Sequence, residues 1–337
     1  MTPTGRSAAG LLWLALVMVS ANGIQGCASR SADVTTSQPS ASPGQSKATL
    51  NDPTGIAFDS EGNLWVANYK GGSILMYRRA KLSLGGRLEP DQVIADPATV
   101  RGPNRLAFDR AGNLWVANYD DSSIAAFSAN QLRLGDPGPA FAILRSLDGS
   151  ISQPTGLGFD AQGNLWVTNQ RNGTVISIGA NDLASTGSPR PKVVIHFPGG
   201  PDAVPEAVTF DSEGRLWVAL YGRNEVVGFS RQAAARSGSP SPEFELQGAI
   251  QGPIGLALDL QGHLWVTDSR AVAGYDVAHP AKQILRVTSS AVSLPHTPAF
   301  DAGGNLWVSS HNDTIAGFRA SQLSIGTDQA PAVVIRS

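Results

Sequence analysis

Phe58-Asp59-Ser60-Glu61-Gly62-Asn63-Leu64-Trp65-Val66 is one of six copies of a motif, each built around a tryptophan: Trp65, Trp115, Trp166, Trp217, Trp265 and Trp307. Each copy opens with an aspartate, at Asp59, Asp109, Asp160, Asp211, Asp259 and Asp301, so successive copies lie 50, 51, 51, 48 and 42 residues apart. The remaining tryptophan is Trp13. A unit repeated at this period cannot bury its apolar face alone and stacks on its neighbours; the length suits a four-stranded propeller blade.

One unit reads strand by strand. Residues 55–58 are a short apolar run, strand a, and 59–63 carry the Asp, Ser and Gly of a tight hairpin. Leu64-Trp65-Val66-Ala67 is strand b; consecutive apolar residues predict a strand buried on both faces. Strand c is Ser73–Tyr77, echoed at 123–127, 174–178, 225–229, 271–275 and 314–318. A polar connector follows, with Leu82, Leu132, Leu183 or Leu323. Then a proline (Pro90, Pro139, Pro191, Pro242, Pro280 or Pro331) opens strand d, the outer edge where proline is tolerated.

The predicted fold is therefore all-β: a six-bladed β-propeller with four antiparallel strands per blade, over residues 51–337. Closure removes exposed sheet edges, and the indoles fill the gaps between blades. The last strand d ends at Arg336 and blade 1 has its own strand a, so closure by packing without an exchanged strand is one of two ways to shut the ring. No segment sustains a 3.6-residue period, which excludes a helical solenoid.

Residues 1–26 have the form of a secretory signal: Arg6, then an apolar run over 11–19 too short to span a bilayer comfortably. The following Ile24-Gln25-Gly26-Cys27 resembles a bacterial lipobox, with Gln25 in place of the usual small residue. Cys27 is the chain's single cysteine and the expected lipidation point. By resemblance to Gram-negative lipoproteins, Ala28 implies the outer membrane, with the domain periplasmic or surface-exposed and held to the membrane by lipid alone. Residues 27–50, rich in Ser, Ala, Thr, Gln and Pro, read as a tether. A net charge of −2 carries no nucleic-acid-binding stripe, and the five histidines show no Cys/His metal spacing.

Pro53-Thr54-Gly55-Ile56-Ala57-Phe58-Asp59 through Asn68, repeated as Pro154-Thr155-Gly156-Leu157-Gly158-Phe159-Asp160 through Asn169, resembles the NHL-repeat and SMP-30/gluconolactonase-like propellers. The resemblance covers roughly residues 50–337. It implies the fold but not the activity, because such propellers include scaffolds, sensors, lyases and lactonases.

Function in a repeat protein shows where copies differ. The position after the strand-a proline holds Thr54, Asn104, Thr155, Glu206, Ile254 and His296. These residues are expected around one mouth of the channel. The residues after strand b (Asn68, Asn118, Asn169, Leu220, Asp268, Ser310) reach the same face, with Tyr69, Tyr119, Gln170, Tyr221 and His311 as an outer rim. The recurring Asn68, Asn118 and Asn169 are expected to satisfy backbone groups of the b–c turn. Blades 2, 4 and 6 depart twice in succession, with Asn104-Arg105, Glu206-Ala207 and His296-Thr297. Candidate ligand-binding residues are thus Asn104, Arg105, Glu206, His296, Thr54 and Thr155. Asn104, Glu206 and His296 together are a candidate site for a divalent cation, Ca²⁺, Mn²⁺ or Zn²⁺. The SMP-30-like lactonases carry Glu, Asn and Asp metal ligands at this position, which Asn104 and Glu206 match. Otherwise Arg105 is expected to pair with Glu206 or with Asp202.

No nucleophile elbow or triad is present. A resemblance to streptogramin-lyase propellers through the Gly-x-Leu-Trp core implies a catalytic histidine on a rim loop, for which His311 is the candidate. Two functions follow. One is an envelope-anchored, monomeric binding or scaffold module for a protein, peptide or glycan. The other is a metal-dependent lactonase or hydrolase at the channel mouth.

Overall fold

The computed structural model of this chain describes residues 49–135, 137–246, 250–278, 282–324 and 328–337. The signal segment, Cys27, the tether up to 48, Trp13 and Pro280 lie outside the described residues.

Six antiparallel sheets each run in the order a-b-c-d. In blade 1 the strands are Pro53–Phe58, Leu64–Asn68, Ser73–Tyr77 and Gln92–Ile94. The other inner strands are Pro103–Phe108, Pro154–Phe159, Pro205–Phe210, Gly255–Leu258 and Pro295–Phe300. Each inner strand contacts that of the next blade, and the last contacts the first, which closes the ring. Strand b is buried throughout in every blade, as its unbroken apolar run requires.

The hairpin aspartate has a second task. Asp59 Oδ2 accepts the indole N–H of Trp65 at 2.9 Å while Oδ1 accepts the N–H groups of Glu61 and Asn63. The same bond recurs from Trp115, Trp166, Trp217, Trp265 and Trp307 at 2.8 to 3.0 Å. A buried indole N–H needs an acceptor, so the a–b turn fixes the ring that it packs behind. The oriented indole then meets the phenylalanine ending strand a of the next blade: Trp65 meets Phe108, Trp115 Phe159, Trp166 Phe210 and Trp265 Phe300, centroids 5.6 to 6.2 Å apart. Blade 5 has Leu258 there, and Trp217 packs on Phe244 of its own blade at 5.8 Å. Trp307 meets Phe58 at 6.1 Å, which seals blade 6 to blade 1. Each such edge-on pair adds about 1 kcal/mol beyond area burial.

The ring closes without strand exchange: strand d of blade 6 is the chain's own Val333–Arg336. One feature was not expected. Gly86–Arg87, in the connector of blade 1, pairs in parallel with that strand, and single parallel bridges join Leu144 to Gly187 and Ile195 to Gly238. Connectors therefore cover the outer edge of the preceding blade, another way to deny an edge to other chains. The connectors also correct the expectation of plain polar loops. They contain helical turns at Arg79–Leu82, Ala129–Arg133 and Arg231–Ala234, with 3₁₀ turns at Ala180–Asp182 and Ala320–Ser324. Ser128 and Ser230 cap two of the helices, and Leu82, Leu132 and Leu183 are buried. One turn of helix is too short to display a 3.6-residue period.

Candidate functional site

In every blade the strand-a proline follows a residue with left-handed backbone: Asp52, Gly102, Gln153, Val204, Gly252 and Leu294, with φ from 46° to 59°. In four blades that residue's carbonyl accepts the N–H of a rim residue, Tyr69, Tyr119, Gln170 or Tyr221, at 2.9 to 3.1 Å. The left-handed turn thereby places the rim.

Just inside, the pairing of strands a and b slips. Between Pro53 and Ile56, Pro103 and Arg105, Pro154 and Gly156, Pro205 and Ala207, and Pro295 and Pro298 the register shifts. These bulges hold Thr54, Asn104, Thr155, Glu206 and His296, the variable position of the repeat. A bulge re-aims a side chain that a regular ladder would send into the blade. In blade 5, strand a begins at Gly255, and no shift is present in its pairing.

The bulged side chains divide into two groups. Thr54 donates to the carbonyls of Ala67 and Pro103, while Thr155 donates to Pro205 O at 2.9 Å and shares a hydrogen bond with Thr168. Both hydroxyls stitch one blade to the next, so the ligand-binding expectation narrows to Asn104, Glu206, His296 and Arg105. Asn104 is buried, and its side-chain oxygen has no hydrogen-bond partner among the described residues.

Glu206 Oε1 accepts from Gln170 Nε2 at 2.6 Å, and Gln170 Oε1 accepts from the Tyr119 hydroxyl at 2.5 Å. Burial pushes the Glu206 carboxyl up to about 7, against the lowering effects of Gln170 and Arg105. His296 is buried with its ring edge-on to His311, centroids 5.3 Å apart. Burial first, then the charges of Arg105 and His311, hold it well below its ordinary value and therefore neutral. His311 Nδ1 lies 2.5 Å from Asp52 Oδ1, and Lys70 Nζ lies 3.2 Å from Asp52 Oδ2. Across the rim the Tyr69 hydroxyl donates to Asp120 Oδ1 at 3.1 Å, with the Tyr69 and Tyr119 rings edge-on at 6.3 Å. Asp52 and Asp120 escaped the sequence reading. The available signal for Asp52 was its place before the strand-a proline, where other blades also need left-handed backbone.

Arg105 corrects an expectation. None of the described ion pairs joins it to Glu206 or Asp202; Asp202 is exposed on the turn Gly200–Ala203. The Arg105 side chain, on blade 2, crosses the channel instead. Nε donates to Thr155 O of blade 3 at 3.1 Å, Nη2 to Ile254 O of blade 5 at 3.0 Å, and Nη1 to Thr297 Oγ1 of blade 6. In blades 1, 3 and 5 the equivalent residue is glycine, and a Cβ on Gly55 or Gly156 would stand 2.6 Å from Asn104 O or Thr168 Oγ1. Burial lowers the guanidinium to about 10, with the charge of Glu206 opposing.

Asn68, Asn118 and Asn169 do satisfy backbone groups, but chiefly in the loop that enters strand a: their Oδ1 atoms accept from the N–H of Asn51, Arg101 and Ser152.

The donor set does not fit a divalent cation. Asn104, Glu206 and His296 are accompanied by a buried guanidinium whose charge the latter two feel, and Glu206 already accepts from Gln170. Among the described residues no three His, Cys, Asp or Glu side chains gather as a metal-binding group.

The fold is thus an all-β propeller of six blades with a polar mouth, and residues 91–244, from strand d of blade 1 into that of blade 4, match the family model described as SMP-30/Gluconolactonase/LRE-like region. No curated protein sequence matches the chain. Among solved structures, it is similar to a streptogramin B lyase at 16% identity, covering 80% of each chain with a TM-score of 0.56. Virginiamycin B lyase from Staphylococcus aureus aligns at 17% identity and TM-score 0.56, over 81% of this chain and 83% of that one. A chain of the mitotic checkpoint complex gives the same TM-score at 9% identity, over 95% and 90%. A lyase and a checkpoint assembly fit equally well, so these likenesses carry the fold alone.

Proposed function

We propose that this chain is a lipid-anchored propeller of the bacterial outer membrane, periplasmic or surface-exposed, and works as a binding module through the polar mouth of its channel. The observation that carries the reading is Asn104, a buried acceptor with no partner among the described residues, at a bulge that aims it off the blade. An unmatched buried acceptor costs about 1–3 kcal/mol, which a ligand N–H or O–H offsets on binding. The rim of Tyr69, Tyr119, Tyr221 and His311 offers amphipathic rings, the surface on which peptides and glycans dock. The test is binding to arrayed cell-wall glycans and peptides. Saturable binding that Asn104→Leu and Tyr119→Ala abolish is expected; a chain that binds nothing, or binds equally well as Asn104→Leu, refutes the reading. The anchor is tested separately by palmitate labelling, which Cys27→Ala should eliminate along with membrane association.

A second reading rests on His311. Asp52 holds its Nδ1, and Nε2 has no described hydrogen-bond partner, the arrangement of an oriented general base. With the resemblance of the Gly-x-Leu-Trp core to streptogramin-lyase propellers, it supports a lyase in which His311 takes the proton. Opening of a streptogramin B by the purified chain, lost in His311→Ala, would establish it; no turnover would leave the binding module.

A further inference from the structure

Arg105 lines a cavity of about 200 Å³ inside the channel, together with Thr297 and inner-strand residues of all six blades. The hairpins show which groups those strands turn toward it. Asp59 N–H donates to Asn63 O, and the same bond recurs at Asp109, Asp160, Asp211, Asp259 and Asp301. In an antiparallel pair the N–H and C=O of one residue point the same way, and successive residues alternate. Two residues before each aspartate, Ala57, Ala107, Gly158, Thr209, Ala257 and Ala299 lie opposite the strand-b tryptophan and bond to strand b. One residue earlier, Ile56, Leu106, Leu157, Val208, Leu256 and Pro298 therefore turn their main-chain groups to the channel, while the side chains of the first five pack in the blade cores. The cavity wall is thus polar main chain, five N–H groups and six carbonyls, since Pro298 has no N–H. We infer that this cavity is an anion site, distinct from the mouth: it holds one monovalent inorganic anion of chloride's size against the Arg105 guanidinium and the neighbouring strand-edge N–H groups.

Two observations carry this. Arg105 is a buried cation without a direct counter-ion: its described partners are two backbone carbonyls and a hydroxyl, and none of the described ion pairs includes it. Three of its five N–H groups are engaged, which leaves two. A buried charge lacking its partner is costly, so an anion that enters beside it is strongly favoured. The second observation is the wall. Strand a pairs only with strand b of its own blade, so the channel-side N–H groups have no partner in another strand. Concavities lined by main-chain N–H groups bind anions, and this one has a cation at its edge.

The same groups set the charge and size of the ligand. One monovalent anion neutralises one guanidinium. A dianion would leave a net negative charge among the carbonyls, close to Glu206, whose charge Arg105 already feels. Glu206 itself is bound to Gln170 and does not reach the guanidinium as an ion pair. An organic carboxylate needs apolar surface for its body, which a main-chain wall does not supply.

The test uses bromide, which reports its position by anomalous scattering. Crystals of the purified chain grown in sodium bromide should show one strong peak inside the cavity beside Arg105 Nη1 or Nη2, and excess sodium chloride should remove it. In solution, sodium chloride replacing sodium gluconate at constant ionic strength should raise the melting temperature saturably, by about 2 °C at about tenfold the half-saturating concentration. Arg105→Met should abolish the rise. Since Arg105 ties four blades, the bromide peak in the wild-type crystal decides the matter if the Arg105→Met chain does not fold. The inference is overturned by the lack of a peak in the cavity, by peaks at the protein surface alone (an adventitious ion only), by a wild-type melting temperature that chloride leaves unchanged, or by equal rises in the two chains. Failure of glycan or peptide binding at the mouth has no bearing on these outcomes, because none of them involves a ligand at Asn104 or the rim.

Discussion

Gln170 Nε2 donates to Glu206 Oε1 at 2.6 Å, so a side chain just after strand b of blade 3 holds the bulged carboxyl of blade 4. The Tyr119 hydroxyl bonds the other end of the same amide, which carries the relay back to blade 2. Three blades thus agree on one orientation for a carboxyl removed from water.

That carboxyl makes stability depend on pH in a definite sense. Its folded value is raised from 4.5 to about 7, so the folded chain binds the proton more tightly than the unfolded one. The resulting stabilisation is complete below about 4.5, declines as pH rises, and is gone above about 7. His296, held neutral, acts in the opposite direction below 6.5, so the Glu206 contribution is read as a difference. The stability of the wild type minus that of Glu206→Gln should fall by up to about 3 kcal/mol between pH 4.5 and 8 in urea titrations. A flat difference would contradict the burial assigned to Glu206.

The hairpin aspartates bear more than a turn. Asp109 accepts from Ala111 N, Asn113 N, Asn113 Nδ2 and Trp115 Nε1. Asp109→Ala orphans a buried indole N–H and should cost about 3 kcal/mol by chemical denaturation. Arg110→Ala, on the exposed neighbour, should change stability by less than about 0.5 kcal/mol. Equal effects would mean that the indole bond is dispensable.

Val204 and Asp52 occupy the same left-handed position in blades 4 and 1, at φ 46° and 56°. For valine this backbone is strained and its side chain makes no hydrogen bond in return. Val204→Gly should leave stability unchanged or raise it by up to about 1 kcal/mol. Asp52→Gly relieves the backbone too, yet it removes the carboxylate that holds His311 and Lys70 and should lower stability by about 2 kcal/mol. Thermal melts of the two variants moving in the same direction would refute this account.

Replacing Gly102 would disturb the rim directly. Its φ is 56°, and a Cβ there would land on the Asp120 carboxylate that accepts from Tyr69. Burial first, then Asp120, raises the Tyr69 phenol above its ordinary value of 10. Gly102→Ala should therefore lower the Tyr69 titration and destabilise the chain by about 1–2 kcal/mol. Ultraviolet pH titration against a Tyr69→Phe control reads the first effect; an unshifted phenol would show that Asp120 had not moved.

The blades were legible because each element leaves a local trace. Leu64-Trp65-Val66-Ala67 reads as a doubly buried strand, and Asp59 with Gly62 and Asn63 reads as its hairpin. Closure by Val333–Arg336 was an open alternative in the sequence, since pairing between chain ends leaves no local trace. The helical turn at Arg79–Leu82 was missed for a different reason: one turn has no period to detect.

At the site, variation among copies pointed to Asn104, Glu206 and His296 but could not say what each touches. Thr54 and Thr155 looked the same as these by position and proved to be stitches between blades. Arg105 looked like the partner of Glu206 and instead crosses to Thr155, Ile254 and Thr297, residues 50, 149 and 192 positions away along the chain.

Repeat, strand order and the place of the variable ring were determined by the sequence alone, because burial period and turn chemistry act within a few residues. The roles of the ring's members were decided only by the tertiary structure. Bulges in five blades re-aim these side chains, and Thr54, Thr155 and Glu206 find hydrogen-bond partners in a neighbouring blade, which no local sequence pattern records.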